Sequence, residues 1–206
     1  MKALLSSTFF GPIQWYQKLY RYPNVLIEHH DSYCKQTYRN RCLIATTNGV
    51  QTLTVPVISR EDALGEKCMI SDHGNWRHQH WNALQSAYGD SPFFIYYEDD
   101  LKPFFTQRWD TLYDYNEAIR QKMCQLLDIQ PNVEATTFYI TKAMLEQEDG
   151  QTDDFRDAIN PKHPLPDADF QPKRYYQVYA RKHGFLPNLS ILDLLFNIGP
   201  ESVFFL

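Results

Sequence analysis

The N-terminal stretch constrains the fold most, because two short apolar runs flank one amphipathic segment. The runs are 2–10 and 25–27, and between 13 and 22 the apolar residues recur at the helical spacing of three and four. A strand, a helix and a second strand form a βαβ unit, which has parallel strands and a right-handed crossover. Ligands of such sheets bind beyond the carboxyl ends of the strands, so the sequence predicts a site near 6–9 and 29–31.

Further along the chain, the patterns predict a β-hairpin and then a helical segment. Asn48-Gly49 separates two β-rich runs, 42–46 and 53–58, and this dipeptide is a strong hairpin signal. From about 75 to 127 the apolar residues recur at helical spacing, with breaks that divide the segment into three helices. The predicted fold class is therefore α/β, with a mainly parallel sheet opened by the βαβ unit, a β-hairpin and a helical middle segment on the sheet.

The length of 206 residues fits a single domain, 1–206. A strand is expected over 135–141 and a core helix over 190–197. Segment 146–172 is acidic and then proline-rich, with few large apolar residues, which predicts a long loop or a lid. An ordinary surface excursion fits the same composition.

Charge and motif content give no support to several classes of partner and cofactor. The net charge of −5 disfavours a nucleic-acid backbone as a partner. No apolar run approaches the roughly 20 residues of a membrane span. Four cysteines without a CxxC pair, and no secretory signal pattern, predict reduced thiols and a cytoplasmic location. No glycine-rich phosphate loop supports ATP or NAD chemistry, so the cofactor stays open, and no pattern indicates an oligomeric state.

The basic loop, residues 31–41, lies between two strand-like runs and carries the strongest functional signal. Its cations gather at the predicted carboxyl end of a strand, where a fold can build an anion site. We expect substrate or anion binding by Lys35, Arg39, Asn40 and Arg41. The alternative is a solvated basic loop that leads into the hairpin.

His30 and Asp31 are the candidate catalytic residues, because an imidazole and a carboxylate at a strand end suit acid–base chemistry. Neighbours in an extended strand point to opposite faces, so a direct bond between them is not expected. The alternative for His30 is a strand-end histidine that binds only water. Cys34, beside a lysine, is a weaker nucleophile candidate because nothing in the sequence orients a base towards it.

Aromatic and histidine residues elsewhere give further candidates. Trp15, His78 and Trp81 are possible substrate contacts, although most Trp side chains in such a chain belong to the core. No metal site is predicted from His73, His78 and His80, because positions i and i+2 of a helix do not share a face. Ser190 and Asp193 have the spacing of a helix capping box, which we prefer to a catalytic pair.

Four motifs in this order resemble those of the WbqC-like family: YRNRCLI, LTVPV, W…HW…AL…AYGDSPFF and FLPNLSILDLLFNIGP. They come from both termini and the middle of the chain. The chain departs from the family after the first strand, where it has Ser7-Thr8-Phe9-Phe10 in place of Gln-Pro and an aromatic residue. It also has His30-Asp31 where the family has an acidic pair.

The resemblance implies a cytoplasmic, enzymatic role in bacterial surface-polysaccharide or O-antigen biosynthesis. We therefore expect a transferase that acts on an activated sugar, with acyl or aminoacyl transfer as one version. The alternative is a non-catalytic binding or assembly partner of a polysaccharide-synthesis complex. The enzyme is favoured if a deep pocket brings together Lys35, Arg39, Arg41, His30 and Asp31, whereas the partner is favoured if these residues spread over a flat surface with an apolar rim.

Overall fold

A computed structural model of the chain describes residues 1–58, 68–147 and 150–206. The strands are β1 (Lys2–Ser6), β2 (Asn24–Glu28), β3 (Arg41–Thr46), β4 (Gly49–Thr54), β5 (Val57–Ile58), β6 (Met69–Ile70), β7 (Val133–Ala135) and β8 (Thr152–Asp154). The α-helices are α1 (Ile13–Arg21), α2 (Trp76–Tyr88), α3 (Phe94–Leu101), α4 (Leu112–Leu126), α5 (Lys142–Gln147), α6 (Ala180–His183) and α7 (Ile191–Ile198). Short 3-10 helices follow α3 and α7. None of these described helices is both long and apolar enough to span a membrane.

The central sheet has four parallel strands in the order β7-β2-β1-β8. The predicted βαβ unit is present as β1, α1 and β2, and β3 with β4 forms the predicted hairpin. The α/β fold class is thus confirmed. The strand expected over 135–141 lies earlier, at 133–135. The Thr136 N–H still donates to the Ile27 carbonyl at 3.0 Å, but the Thr136 side chain binds Glu28 and the chain leaves the sheet after it.

Both faces of the sheet are covered. Ala3, Leu4 and Leu5 of β1 are fully buried, as expected for a parallel strand with layers on either side. Helix α7 packs against the turn between β1 and α1, where the Ile191 N–H donates to the Gly11 carbonyl at 2.9 Å. This packing fixes the turn that follows β1.

Ser190 and Asp193 serve the packing of α7. The Ser190 Oγ accepts from the Leu192 N–H at 3.3 Å, as in a helix cap. Asp193 is fully buried and accepts hydrogen bonds from Tyr88 at 2.9 Å and Tyr175 at 2.6 Å, so it does not complete the capping box. Burial raises the pKa of Asp193 from its ordinary value.

The segment predicted as a loop or lid, 146–172, contains β8 and is attached to α1. Lys18 and Asp167 form an ion pair at 2.8 Å, and Gln14 donates to the same carboxylate at 2.8 Å. Residues 148–149 of the segment lie outside the described residues. Movement of this segment as a lid stays a prediction.

Candidate functional site

A cavity of about 240 Å³ opens beyond the ends of β1 and β8, at the carboxyl edge of the parallel sheet. The sequence predicted a site at this edge. Its charged lining residues are Asp31, Arg39, Lys142, Asp154, Arg156 and Asp157. Its aromatic lining residues are Trp15, Tyr38, Tyr139 and Phe155.

Arg39 reaches the cavity from the basic loop, and its guanidinium is held by protein oxygens. Nη2 donates to the Asp31 carboxylate and lies 3.5 Å from the Ser6 Oγ, whereas Nη1 donates to the Ser32 carbonyl at 2.6 Å. The side chain is 12% exposed, and burial lowers the pKa of Arg39 from its ordinary value. Asn116 of α4 donates to the Arg39 carbonyl at 2.8 Å, so the helical segment fixes this part of the loop.

Arg156 follows β8 and is fixed more tightly than Arg39. Its Nε and Nη2 donate to the two Asp154 oxygens at 2.9 and 2.7 Å, and Nη1 donates to Glu28 at 3.0 Å. Burial alone would lower the pKa of Arg156, but the hydrogen bonds with Asp154 outweigh it and raise that pKa. The guanidinium also lies 5.1 Å from the centre of the Tyr139 ring. A guanidinium held in this way is pre-oriented for a polar ligand.

Glu28 connects three of the four parallel strands beneath the cavity. Its fully buried carboxylate accepts from Arg156, from the Thr136 hydroxyl at 2.7 Å, and from the backbone N–H groups of His30 at 2.9 Å and Ile140 at 3.1 Å. These donors follow β8, β7 and β2. One buried carboxylate therefore sets the relative positions of the segments around the site.

The remaining residues of the predicted anion site do not line this cavity. Lys35 is exposed on the loop. Asn40 is buried and braces the hairpin, since its side-chain amide donates to the Val55 carbonyl at 2.9 Å. Arg41 begins β3. Of the four residues, the structure brings only Arg39 to the cavity.

Of the two candidate catalytic residues, the structure likewise brings only one to the cavity. Asp31 lines the cavity, whereas His30 is absent from its lining. The His30 Nε2 lies 3.1 Å from the Thr136 carbonyl oxygen. His30 therefore supports the turn after β2, and Asp31 faces the ligand space.

The three possible substrate contacts lie in two places. Trp15 lines the cavity but is only 2% exposed, and its indole N–H donates to the Ser6 carbonyl at 2.9 Å. His78 and Trp81 lie on α2 and line a separate groove together with Lys102. The structure does not bring them to the sheet edge.

Metal ligation and cysteine chemistry were weaker candidates in the sequence. Across 1–58, 68–147 and 150–206, no cluster of three or more His, Cys, Asp or Glu side chains could hold a metal ion. His73 and His78 are exposed, whereas His80 is buried, and burial lowers its pKa to about 4. All four cysteines are free thiols, and Cys34 is exposed and lines the cavity.

Sequence reasoning missed Glu28, Asp154, Arg156 and Tyr139. A signal for Glu28 was present, because an acid that directly ends a buried apolar strand needs a partner. Asp154 and Arg156 lie within 146–172, which the composition predicted to be a loop or a lid. Nothing in the sequence therefore indicated that they lie at the edge of the sheet.

The lining suits a small polar ligand with hydroxyl groups. Carboxylates and guanidinium groups offer acceptors and donors in fixed planes, and Tyr139 offers a ring face at 45% exposure. At about 240 Å³, the cavity is smaller than the roughly 300–1,000 Å³ that is common for small-molecule sites. Its volume therefore suits a single ring and not a whole nucleotide-linked substrate.

Comparisons with known proteins agree with the motifs in the sequence. A family model described as "WbqC-like protein family" matches residues 7–155, a range that contains most of the cavity lining. The uncharacterized protein Rv1507c of Mycobacterium tuberculosis is 27% identical over 229 aligned residues, covering 97% of this chain and 94% of that protein. No solved structure matches the chain.

Proposed function

The chain belongs to the WbqC-like protein family, as its motifs predicted, and on that premise we propose that it is a cytoplasmic transferase acting on an activated sugar in bacterial surface-polysaccharide biosynthesis. The observation that carries the proposal is the cavity at the carboxyl edge of the sheet, with Arg39, Arg156 and Asp31 in its wall. Four free cysteines fit a reducing compartment.

Asp31 is the proton acceptor in this proposal. Its ion pair with Arg39 keeps a carboxylate oriented at the cavity wall. In acyl or aminoacyl transfer, a sugar hydroxyl or amine forms a bond to the donor carbonyl carbon, and its proton passes to Asp31. The bond from that carbon to the leaving group then breaks, and the leaving group departs with the electron pair.

Arg39 and Arg156 orient the sugar. Arg156 uses three nitrogens on Asp154 and Glu28, and within the described part of the chain its remaining N–H groups are left for ligand oxygens. Because both guanidinium groups are fixed before binding, little rotamer entropy is lost when the ligand binds.

A thermal-shift panel tests the proposal. It contains monosaccharides, nucleotide sugars and acyl or aminoacyl donors, and it is run on the wild type, on Arg39→Gln and on Arg41→Gln. A ligand that binds only the folded state raises the melting temperature. We expect a sugar-dependent shift that Arg39→Gln abolishes and Arg41→Gln retains, since both residues lie on one loop and only Arg39 lines the cavity. Equal loss in both variants, or no shift with any sugar, would count against a sugar site here.

The second candidate is a non-catalytic binding partner within a polysaccharide-synthesis complex. Two exposed apolar side chains next to the cavity favour it. Phe138 is 55% exposed and precedes the lining residue Tyr139, and Met144 is 37% exposed and lies two residues after the lining residue Lys142. Binding of the sugar without turnover of any donor in the panel would favour this candidate over the transferase.

A further inference from the structure

Among the described residues 1–58, 68–147 and 150–206, the charges that line the cavity are balanced pair by pair. Arg39 binds Asp31, Arg156 binds both oxygens of Asp154, and Lys142 lies 3.2 Å from Asp157. The buried carboxylate beneath them also takes one nitrogen of Arg156. Three cations are therefore matched by three lining carboxylates and one further carboxylate below.

This balance opposes a multiply charged anion. A phosphate or diphosphate inside the cavity would have to displace a carboxylate from a guanidinium, and the displaced charge would remain close to the phosphate oxygens. Like charges held close together in a partly buried site are strongly unfavourable. Hydroxyl groups bring no such cost, because they donate to the carboxylates and accept from the guanidinium groups without breaking a pair.

We propose that the cavity admits only the uncharged sugar ring of its substrate, and that Asp31 excludes phosphoryl groups from it. The inference rests on the proposed function and narrows its substrate class to a neutral ring with free hydroxyls. A volume of about 240 Å³ fits such a ring. Any activating phosphate stays outside, towards solvent.

Asp31 is the decisive partner because of its surroundings. Among the residues that the structure describes, Arg39 has no second carboxylate as a hydrogen-bond partner, since its other acceptors are the Ser32 carbonyl and the Ser6 hydroxyl. Arg156 by contrast keeps Glu28 when Asp154 is lost. Removal of the Asp31 charge therefore leaves the Arg39 guanidinium without a hydrogen-bonded carboxylate, and Glu28 then acts on it only through space.

Competition calorimetry with a neutral methyl glycoside and inorganic phosphate tests the inference. In the wild type, we expect the glycoside Kd to be unchanged by phosphate and to vary less than about twofold between low and physiological salt. In Asp31→Asn, we expect phosphate to compete, with an affinity at least about tenfold above that of the wild type, and to lose that gain at high salt.

Asp72→Asn is the matched control. Asp72 pairs with Arg77 at 2.7 Å but does not line the cavity, so this variant should behave as the wild type does.

Phosphate that competes equally well in the wild type and in Asp31→Asn would overturn the inference and leave the sugar site standing. If phosphorylated sugars bind and no neutral glycoside binds, the inference is likewise overturned, while the sugar site stands. If no sugar of either kind binds, the proposed function fails and the inference with it. The wild-type competition decides the matter even if Asp31→Asn does not fold.

Discussion

Replacement of Glu28 by glutamine tests whether one buried carboxylate holds the site together. Glutamine keeps the size of the side chain but removes its charge and turns an amide N–H group towards donors that need an acceptor. These donors come from Arg156, Thr136, His30 and Ile140. The change therefore removes an ion-pair partner and leaves buried N–H or O–H groups without an acceptor.

The size of the effect follows from what Arg156 retains. Removing one member of a buried ion pair costs about 3–5 kcal/mol, and since Arg156 keeps Asp154, we expect the lower end, about 3 kcal/mol. For a chain of this length, that lowers the melting temperature by about 6–12 °C. Urea unfolding followed by circular dichroism measures the change in the free energy of unfolding.

Glu117→Gln is the control for this prediction. Glu117 is 29% exposed and pairs with Arg120 one turn away on α4, so its loss should cost no more than about 0.5 kcal/mol. A cost below about 1 kcal/mol for Glu28→Gln, or equal costs for both variants, would refute the role assigned to Glu28.

Three further predictions concern stability. Burial alone would raise the pKa of Asp167, but hydrogen bonds led by that from Lys18 hold it below the usual 3.8, so the wild type should lose stability as the pH falls below about 4. Lys18→Met should flatten that acid limb in pH-dependent urea titrations. Burial lowers the pKa of His80 from 6.5 to about 4, so the wild type should lose up to about 3 kcal/mol between pH 6.5 and 4, whereas His80→Phe should not. Tyr16→Phe removes a fully buried hydroxyl without a partner in the described structure, and calorimetry should show an unchanged or higher melting temperature.

The βαβ unit and the hairpin could be predicted because their signals are local. Apolar runs, a helical period and the Asn48-Gly49 dipeptide each lie within a few residues of the elements they specify. Their order also predicted the sheet edge where the cavity lies.

Strand β8 could not be predicted, because it has three residues and two of them are aspartates. Aspartate is depleted in strands, and among the described strands Thr152–Asp154 pairs with β1 alone, about 150 residues earlier in the chain. The pairing brings Asp154 and Arg156 to the cavity. For the basic loop, the composition predicted a site but could not show which of its cations face the cavity. Arg39 lines the cavity, whereas Lys35 and Arg41 do not.

The central claim is that a sugar occupies the cavity at the sheet edge. The rate of Cys34 alkylation by iodoacetamide tests it most directly, because this exposed thiol lines the cavity. The three buried cysteines, Cys42, Cys68 and Cys124, serve as internal references in the same mass spectrum. We predict that a sugar that raises the melting temperature also slows alkylation of Cys34 in proportion to its occupancy. A sugar that binds and leaves the rate at Cys34 unchanged would contradict the assignment of the ligand to this cavity.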